Sequence, residues 1–489
     1  MQPLLSAVSL ALLACAAGRR SPPLLMAPPH VGDDPLPPDQ WYTQQLDHFD
    51  ASETRTWQQR YQVNDSFYQP GGPVFLMIGG EGPASAVWLV SGTWIDYAQQ
   101  YGALCFQLEH RFYGDSLPTE DMSVENLRYL SSEQALADLA AFSAAMTEQY
   151  ALPEGTKWVS FGGSYPGSLS AWYRLKYPHM VHAAVSTSAP LLAKTNFFEY
   201  LEVVNYAIHA KSGDECYGNV ELSFQAVEDL LQDAAGWATL TDKFKLCSSL
   251  DGTNSNDVSN LMQNLADLWS GVVQYNEDNF GFRGGSKLAN ITINTLCDIM
   301  NDAGTGSPLD RLVAINDLMM DAYEETCLDF SYDSMIAAMR DTDFSSANNT
   351  GMRQWIYQTC TEFGWYQTTE SADQPFGSRL PLPFSIQQCV DVYGAQFEQT
   401  FIDAAVAATN TDYGARQLPA KRVVLVNGSI DPWHAMGIIE SSDPDRPAIF
   451  INGTAHCANM YPAREEDLPG LTAARQQIGE LIGKWLQED

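Results

Sequence analysis

Short apolar runs alternate with stretches of helical periodicity in the first and last parts of this chain. Strand-like runs occupy residues 73–78, 104–108, 158–161, 422–426 and 448–451. Residues 132–149 repeat apolar side chains at helical spacing, which predicts an amphipathic helix packed on a sheet. Uninterrupted apolar runs are typical of parallel strands buried on both faces. The pattern therefore predicts an α/β domain built from residues 41–193 and 394–489.

The pattern changes in the middle of the chain, from residue 194 to residue 393. Strand-like runs fade there, and apolar residues recur with helical period, for example in 261–269, 312–320 and 335–339. Sheet-like patterning returns near residue 420. We therefore expect a large, mainly helical insertion that interrupts the α/β domain in sequence and leaves it continuous in space.

A serine lies in a glycine-rich turn between a predicted strand and a predicted helix. The turn spans residues 162–167, follows the run 158–161, and leads into a helical stretch at 168–177. This arrangement presents a nucleophilic serine at a sharp strand-to-helix turn, where neighbouring glycines avoid steric collisions. The spacing differs slightly from G-x-S-x-G, because Pro166 precedes the final glycine. Ser164 is the candidate nucleophile.

A carboxylate and an imidazole follow the last two predicted strands. Asp431 lies in the loop after the run 422–426, and His456 lies in the loop after the run 448–451. In the α/β-hydrolase fold the catalytic residues occur in the chain order Ser, Asp, His. The order of Ser164, Asp431 and His456 thus predicts an α/β-hydrolase fold with an inserted cap. His456 would act as the general base, and Asp431 would orient its imidazole.

Two backbone amides are needed to stabilise the oxyanion that forms during acyl transfer. The fold supplies one from the residue after the nucleophile, here Tyr165. The second should come from the glycine-rich loop at 79–83, which follows the predicted strand 73–78. Gly80 and Glu81 are the candidate donors in that loop.

Several separate motifs resemble the S28 family of serine peptidases. They occupy residues 46–49, 79–83, 108–114, 162–167 and 427–433, and segments 355–368 and 455–462 are most similar to the thymus-specific serine protease branch. The family also includes Pro-Xaa carboxypeptidase and dipeptidyl peptidase II. The resemblance implies a helical cap on an α/β-hydrolase domain and exopeptidase cleavage after proline or small residues. It places Ser164, Asp431 and His456 on the family's three catalytic positions.

Two further residues are candidates for substrate binding. Trp433 follows Asp431 closely and could form an apolar wall against a prolyl ring. Glu81 could pair with the amino terminus of a substrate if the protein is a dipeptidyl peptidase. A carboxypeptidase would instead need a cation facing the substrate carboxylate, and the residues leave both types of cleavage open.

Charge and cysteine content limit the partners, disulfides and bound groups that we expect for this chain. The formal net charge of −34 argues against nucleic acid and anionic membranes as partners. With Cys15 set aside, eight cysteines remain, and the six between residues 216 and 389 are expected to form disulfides within the insertion. Cys105 and Cys457 are expected to be buried thiols. The sequence has no close C-x-x-C or H-E-x-x-H pattern, so we expect neither a metal nor a cofactor.

The amino-terminal region predicts entry into the secretory pathway. Residues 1–18 contain an apolar run that ends in small residues, which is typical of a signal peptide. The proline-rich residues 19–40 predict a linker or pro-segment. No later apolar run is long enough to span a bilayer, so we expect no membrane anchor and a secreted, lysosomal or vacuolar protein. The expected partners are peptide substrates, and pairing with a second copy of the chain stays open.

Two other functions share these sequence features. A carboxylesterase or lipase would use the same three residues with a different pocket. A catalytically silent homologue would keep the fold and bind peptides without cleaving them. The presence of all three candidate catalytic residues and of the glycine-rich loop favours the peptidase.

Overall fold

A mostly parallel sheet lies at the centre of the fold in the computed structural model, which describes residues 28–29, 35–277 and 287–488. Its eight strands are arranged in the order β1-β2-β4-β3-β5-β6-β9-β10. They are β1 (Gln40–Gln45), β2 (Thr56–Asn64), β3 (Val74–Ile78), β4 (Leu104–Leu108), β5 (Trp158–Gly163), β6 (Ala183–Thr187), β9 (Val423–Gly428) and β10 (Ala448–Ile451). Two short strands, β7 (Lys194–Asn196) and β8 (Gly364–Tyr366), pair separately in parallel.

The sheet is buried on both faces, as the apolar runs predict. Along β3, Val74, Leu76 and Ile78 belong to one hydrophobic cluster. The alternate residues Phe75 and Met77 belong to a second cluster on the opposite face. This alternation follows from the twofold side-chain period of a strand. The pattern confirms the α/β fold class.

Within the described residues, five α-helices accompany the sheet outside the segment between β6 and β9. They are α1 (Thr93–Tyr101), α2 (Val124–Leu127), α3 (Ser132–Gln149), α4 (Tyr165–Lys176) and α14 (Pro469–Gln487). α3 and α4 pack together, and α1 packs on α14. Buried residues of α3 and α4 belong to the cluster that contains Val74, and those of α1 and α14 belong to the other cluster. Helices thus cover both faces of the sheet.

A mainly helical cap is inserted between β6 and β9. Its helices are α5 (Glu199–Leu230), α6 (Ala234–Lys243), α7 (Ser255–Gln274), α8 (Ile293–Asn301), α9 (Pro308–Tyr323), α10 (Tyr332–Met339), α11 (Met352–Gln358) and α12 (Leu382–Tyr393), followed by α13 (Gln399–Tyr413). Core residues of the cap, such as Val204 and Trp269, belong to the same hydrophobic cluster as Val74. The cap is therefore packed onto the α/β domain through a shared core.

Three disulfides fasten segments of the cap to one another. They join Cys216 to Cys297, Cys247 to Cys327, and Cys360 to Cys389. All six cysteines between residues 216 and 389 are thus paired, which confirms the prediction for the insertion. Cys105 and Cys457 are buried free thiols.

Some predicted elements differ from the structure, and others lie outside the described residues. The helix predicted at 168–177 begins earlier, at Tyr165, because the chain turns into it directly after Ser164. The sequence patterns did not predict β1 and β2, which pair antiparallel at one edge of the sheet. The signal peptide at 1–18, and residues 19–27 and 30–34 of the predicted linker, are outside the described part. No helix among the described residues is long and apolar enough to cross a membrane.

Candidate active site

Ser164 lies at the turn between β5 and α4 in a strained backbone conformation. Its φ is 64° and its ψ is −135°, which L-residues rarely adopt. A hydrogen bond from its backbone amide to the carbonyl of Thr187, 2.9 Å long, holds the turn against β6. A Cβ on Gly162 would come within 2.1 Å of the Pro166 carbonyl oxygen. The glycines are thus required by the close approach of strand and helix.

The chain around Ser164 also contacts the loop that carries His456. A Cβ on Gly163 would lie 2.4 Å from the sulfur of Met460 and 2.8 Å from the sulfur of Cys457. The residue before the candidate nucleophile therefore packs against the residue after the candidate base. This contact places both loops at the same edge of the sheet.

Replacing Gly163 by alanine tests how tightly these loops are packed. We expect Gly163→Ala to lower the free energy of unfolding by about 1 to 3 kcal/mol, because the methyl group overpacks a buried site. Thermal and chemical unfolding would measure the loss. The matched control is Gly218→Ala in α5, where nothing lies within 4 Å of the added Cβ. Equal stability of the two variants would contradict the close packing.

Asp431 and His456 form a buried hydrogen-bonded pair. Nδ1 of His456 lies 2.8 Å from Oδ1 of Asp431, and both residues are fully buried. The same Oδ1 accepts a 3.0 Å hydrogen bond from the backbone amide of Trp433. Burial lowers the pKa of His456, but charge interactions and hydrogen bonds with Asp431 and Cys457 together raise it, and the net pKa lies well above the ordinary value. The carboxylate is thus placed to orient the ring and stabilise an imidazolium.

The glycine-rich loop after β3 reaches the amino-terminal end of α4. A Cβ on Gly80 would lie 2.3 Å from the ring of Pro166, so the loop touches the turn that carries Ser164. The next side chain, Glu81, is buried, and its Oε2 has no hydrogen-bond partner among the described residues. The net pKa of Glu81 is about 7, because burial raises it by more than a charged His456 lowers it. Gly80 and Glu81 therefore lie beside the candidate catalytic residues.

The side chain of Tyr165 is fixed by two polar partners. Its hydroxyl lies 2.9 Å from Nε2 of His110 and accepts a 3.0 Å hydrogen bond from Nε2 of Gln358. Burial lowers the pKa of His110 to about 4, so its ring is neutral near pH 7. Gln358 belongs to α11, and so the cap helps to fix the residue that follows Ser164.

Charged residues next to His110 form internal ion pairs. Glu109 pairs with Arg60, and Nε of Arg111 lies 2.7 Å from Oδ2 of Asp138. All of these side chains are largely buried, and Asp138 also contacts Nε2 of His48 at 2.7 Å. The network ties the loop after β4 to β2, to α3 and to the start of the domain.

Trp433 lies in an aromatic cluster shared between the α/β domain and the cap. Its ring centroid is 5.5 Å from that of Phe197, 5.8 Å from that of Tyr200 and 5.8 Å from that of Trp365. Trp365 in turn stacks on Phe363 at 4.5 Å. The Trp433 side chain thus lies between the Asp431 loop and an aromatic wall contributed by the cap.

Besides Gln358, the cap residues Gln274 and Tyr275 contact the site, and none of these contacts was predicted from the sequence. The Gln274 carbonyl accepts a 2.9 Å hydrogen bond from the backbone amide of His456. The Tyr275 ring meets the His456 imidazole edge-on, with centroids 5.9 Å apart. Both residues lie at the end of α7, far from the catalytic motifs in sequence, so no local pattern marks them.

No metal-binding cluster is present in the described ranges, where no group of three or more His, Cys, Asp or Glu side chains could hold an ion. A hydroxyl on a strained turn, a buried Asp–His pair and a glycine-rich loop are the parts needed for acyl transfer.

The sequence is similar to several known proteins along most of its length. The sequence profile described as serine carboxypeptidase S28 matches residues 44–478. A putative serine protease of Caenorhabditis elegans is 42% identical over 454 residues, covering 91% of this chain and 87% of that protein. Thymus-specific serine protease of Mus musculus is 37% identical, covering 94% and 89%. Human lysosomal Pro-X carboxypeptidase is 26% identical, covering 92% and 88%.

Among solved structures, proline iminopeptidase from Mycobacterium smegmatis aligns with a TM-score of 0.40 at 13% sequence identity. The alignment covers 92% of this chain and 100% of that protein.

Proposed function

Because this chain belongs to the serine carboxypeptidase S28 family and is thus a serine peptidase, we propose that it is an exopeptidase that cleaves peptides after proline or small residues. The observation that carries the proposal is the buried Asp431–His456 hydrogen bond beside the strained turn of Ser164. That geometry is the requirement for a serine nucleophile activated by an oriented imidazole.

The proposed reaction proceeds through an acyl-enzyme. His456 takes the proton from the Ser164 hydroxyl as the oxygen attacks the scissile carbonyl. Asp431 accepts the hydrogen bond from Nδ1 and stabilises the imidazolium that forms. His456 then returns the proton to the leaving amine as the peptide bond breaks. In the second half of the reaction His456 takes a proton from water, whose oxygen attacks the acyl carbonyl, and returns that proton to the Ser164 oxygen as the ester bond breaks and the acid product leaves.

The backbone amide of Tyr165 and an amide of Gly80 or Glu81 are the proposed oxyanion donors. Contact between Gly80 and the ring of Pro166 supports this assignment, because it brings the glycine-rich loop to the start of α4. Donors held in place before the reaction stabilise the developing charge without reorganisation. Hydrogen bonds from His110 and Gln358 to the Tyr165 hydroxyl restrain the same residue from its side chain.

Substrate preference is proposed to depend on Trp433 and the cap. Trp433 lies beside the Asp431 loop in a buried aromatic cluster, and its flat apolar ring is suited to pack on a prolyl ring. A cap packed over the carboxyl ends of the strands restricts the site to short or terminal peptide segments. The proposed boundaries of this cap are residues 194 and 393, with the α/β domain at 41–193 and 394–489.

The compartment is proposed to be extracellular or lysosomal. Disulfides form and persist in oxidising compartments, and the cap contains three of them. The similarity to a lysosomal Pro-X carboxypeptidase supports the same route. Pairing with a second copy of the chain is left as a prediction that gel filtration would test.

Product analysis with a peptide library tests the proposed activity. We expect wild-type protein to release short fragments ending in proline or a small residue, or the residue that follows them. A matched series of esters separates a peptidase from a carboxylesterase or lipase. Cleavage of esters alone, or no cleavage by a protein that still binds peptides, would refute the proposal.

Glu81 is the proposed contact for the amino terminus of a substrate. Its buried Oε2 has no hydrogen-bond partner among the described residues, and a substrate ammonium would supply one. We expect Glu81→Gln to lower kcat/KM for a peptide with a free amino terminus about 30- to 3,000-fold, the scale for losing one partner of a buried charged pair. For the same peptide with an acetylated amino terminus, we expect kcat/KM to be the same in Glu81→Gln and in the wild type.

The pH dependence of this preference follows from the pKa of Glu81, which burial raises to about 7. The carboxyl is ionised above that value and neutral below it, so the preference for a free amino terminus should weaken as the pH falls through 7. Comparing the free and acetylated peptides from pH 5 to pH 9 measures this. An equal loss for both peptides in Glu81→Gln would rule out amino-terminal recognition.

A further inference from the structure

The last turn of α7 connects the cap to His456 directly and to Asp431 through Trp433. The carbonyl of Gln274 accepts the backbone amide of His456 at 2.9 Å. The side-chain Oε1 of the same residue accepts the indole Nε1 of Trp433 at 3.1 Å. A third donor, the hydroxyl of Tyr200, reaches this Oε1 at 2.7 Å.

The hydrogen bond between Gln274 and Trp433 also restrains the position of Asp431. The backbone amide of Trp433 donates to Oδ1 of Asp431 at 3.0 Å, the same oxygen that lies 2.8 Å from Nδ1 of His456. An indole held by Gln274 therefore fixes the turn that directs the carboxylate. On the other side, the Gln274 carbonyl fixes the backbone of His456 itself. One residue of the cap thus restrains the chain on both sides of the catalytic hydrogen bond.

The electrostatic field at the C-terminal end of α7 also favours a positive charge on His456. The last carbonyls of an α-helix have no partner within the helix and carry partial negative charge. The Gln274 carbonyl is one of these groups, and it meets the His456 loop. The Tyr275 ring meets the imidazole edge-on at an interplanar angle of 84°. A helix end of this kind stabilises the positive imidazolium that the proposed mechanism requires.

We propose that Gln274 is a positioning residue that sets the Asp431–His456 hydrogen bond, so that the docked cap completes the acid–base pair. This inference rests on the proposed function. It differs from a purely structural role, in which Gln274 would only hold the cap in place. A structural role would change stability and leave the chemical step unaltered.

The substitution Gln274→Met tests the side-chain contact. Methionine keeps the length of the side chain and removes the oxygen acceptor, while the backbone carbonyl remains. We expect kcat to fall about 10- to 100-fold with KM changed less than about twofold, because a small displacement of catalytic groups has a large effect on rate. The rate of labelling by a fluorophosphonate should fall in parallel. The acidic limb of the pH profile of labelling should move to lower pH, because an Asp431 carboxylate that is held less firmly raises the pKa of His456 by a smaller amount.

A double-mutant cycle with Trp433→Phe isolates the hydrogen bond. Phenylalanine keeps an aromatic ring and removes the Nε1 donor. If Gln274 acts through this bond, the double variant should be no slower than the slower single variant. Additive losses in kcat would mean that the two residues act independently and would overturn the inference.

A matched control comes from the same helix. Asn264 donates from Nδ2 to the Asp329 carbonyl at 3.0 Å, within the cap and away from the catalytic loops. We expect Asn264→Leu to lower the melting temperature and to leave kcat unchanged. If Gln274→Met behaves like this control, Gln274 has only a structural role. If wild-type protein is not labelled at all, the proposed function fails, and this inference fails with it; normal labelling of Gln274→Met refutes the inference alone.

Discussion

Ser164→Ala is expected to lower kcat about 10⁵- to 10⁶-fold, the scale of loss when the nucleophile of a serine peptidase is removed. The hydroxyl is the only part deleted, and the strained turn should persist, because its hydrogen bond to Thr187 uses the backbone amide. Steady-state kinetics on a peptide substrate measures the loss, and fluorophosphonate labelling of the wild type, followed by mass spectrometry, shows whether Ser164 is the modified residue. Unchanged circular dichroism and melting temperature would show that the fold is intact.

His456→Ala provides the companion measurement for this prediction. If the two residues act as a unit, each single variant should be as slow as the double variant. Rates that multiply in the double variant would mean that Ser164 and His456 do not act together. A wild-type rate in Ser164→Ala would exclude this serine as the nucleophile and would direct attention to another residue at the sheet edge.

Asp431→Asn is expected to lower kcat about 10⁴-fold, because an amide can favour the wrong tautomer of the neighbouring imidazole. The structure gives a specific reason for the size of the effect. Oδ1 is shared between His456 Nδ1 and the backbone amide of Trp433, so one atom both orients the base and closes the turn. Steady-state kinetics on a peptide substrate would measure the change.

The pH profile of Asp431→Asn separates the electrostatic effect from the geometric one. The carboxylate raises the pKa of His456, so its removal should lower that pKa. His456 must be neutral to act as a base, and activity therefore appears as the pH rises through its pKa. The acidic limb of kcat/KM should thus lie at lower pH in the variant than in the wild type. If the acidic limb of kcat/KM lies at the same pH in both proteins, a group other than His456 controls it.

The parts of the site that the sequence predicted each have a local signal. Ser164 follows a strand and lies among glycines, and Asp431 and His456 each follow a strand in the order typical of the fold. Because parallel strands present their carboxyl ends at one edge, these three signals also predict proximity. The structure brings Asp431 and His456 into contact and places the loops of Ser164 and His456 against each other.

The contacts made by the cap could not be predicted in the same way. Gln274, Tyr275 and Gln358 lie on helices whose periodicity describes only which face is buried. Their approach to the site depends on how the helices dock, and that depends on packing between segments distant in sequence. Intrinsic propensities and patterns carry little information about such contacts.

The sequence patterns did not predict the edge strand β1 and its neighbour β2 for a related reason. β1 has the sequence Gln-Trp-Tyr-Thr-Gln-Gln, and only one of its six residues is fully buried. A strand at the edge of a sheet needs little apolar surface, so its pattern is weak. Its existence is decided by pairing with β2, which in turn pairs with β4.

The position of the insertion between β6 and β9 imposes an order on biosynthesis. During translation the turn that carries Ser164 emerges first, then the disulfide-bonded helices, and only afterwards the two loops that carry Asp431 and His456. Domains begin to fold while the ribosome is still adding residues. A nascent chain therefore presents the proposed nucleophile before the proposed proton acceptor, which is added only after the helical segment has been made. Under the proposed mechanism, hydrolytic capacity arises late, after the cap has been synthesised.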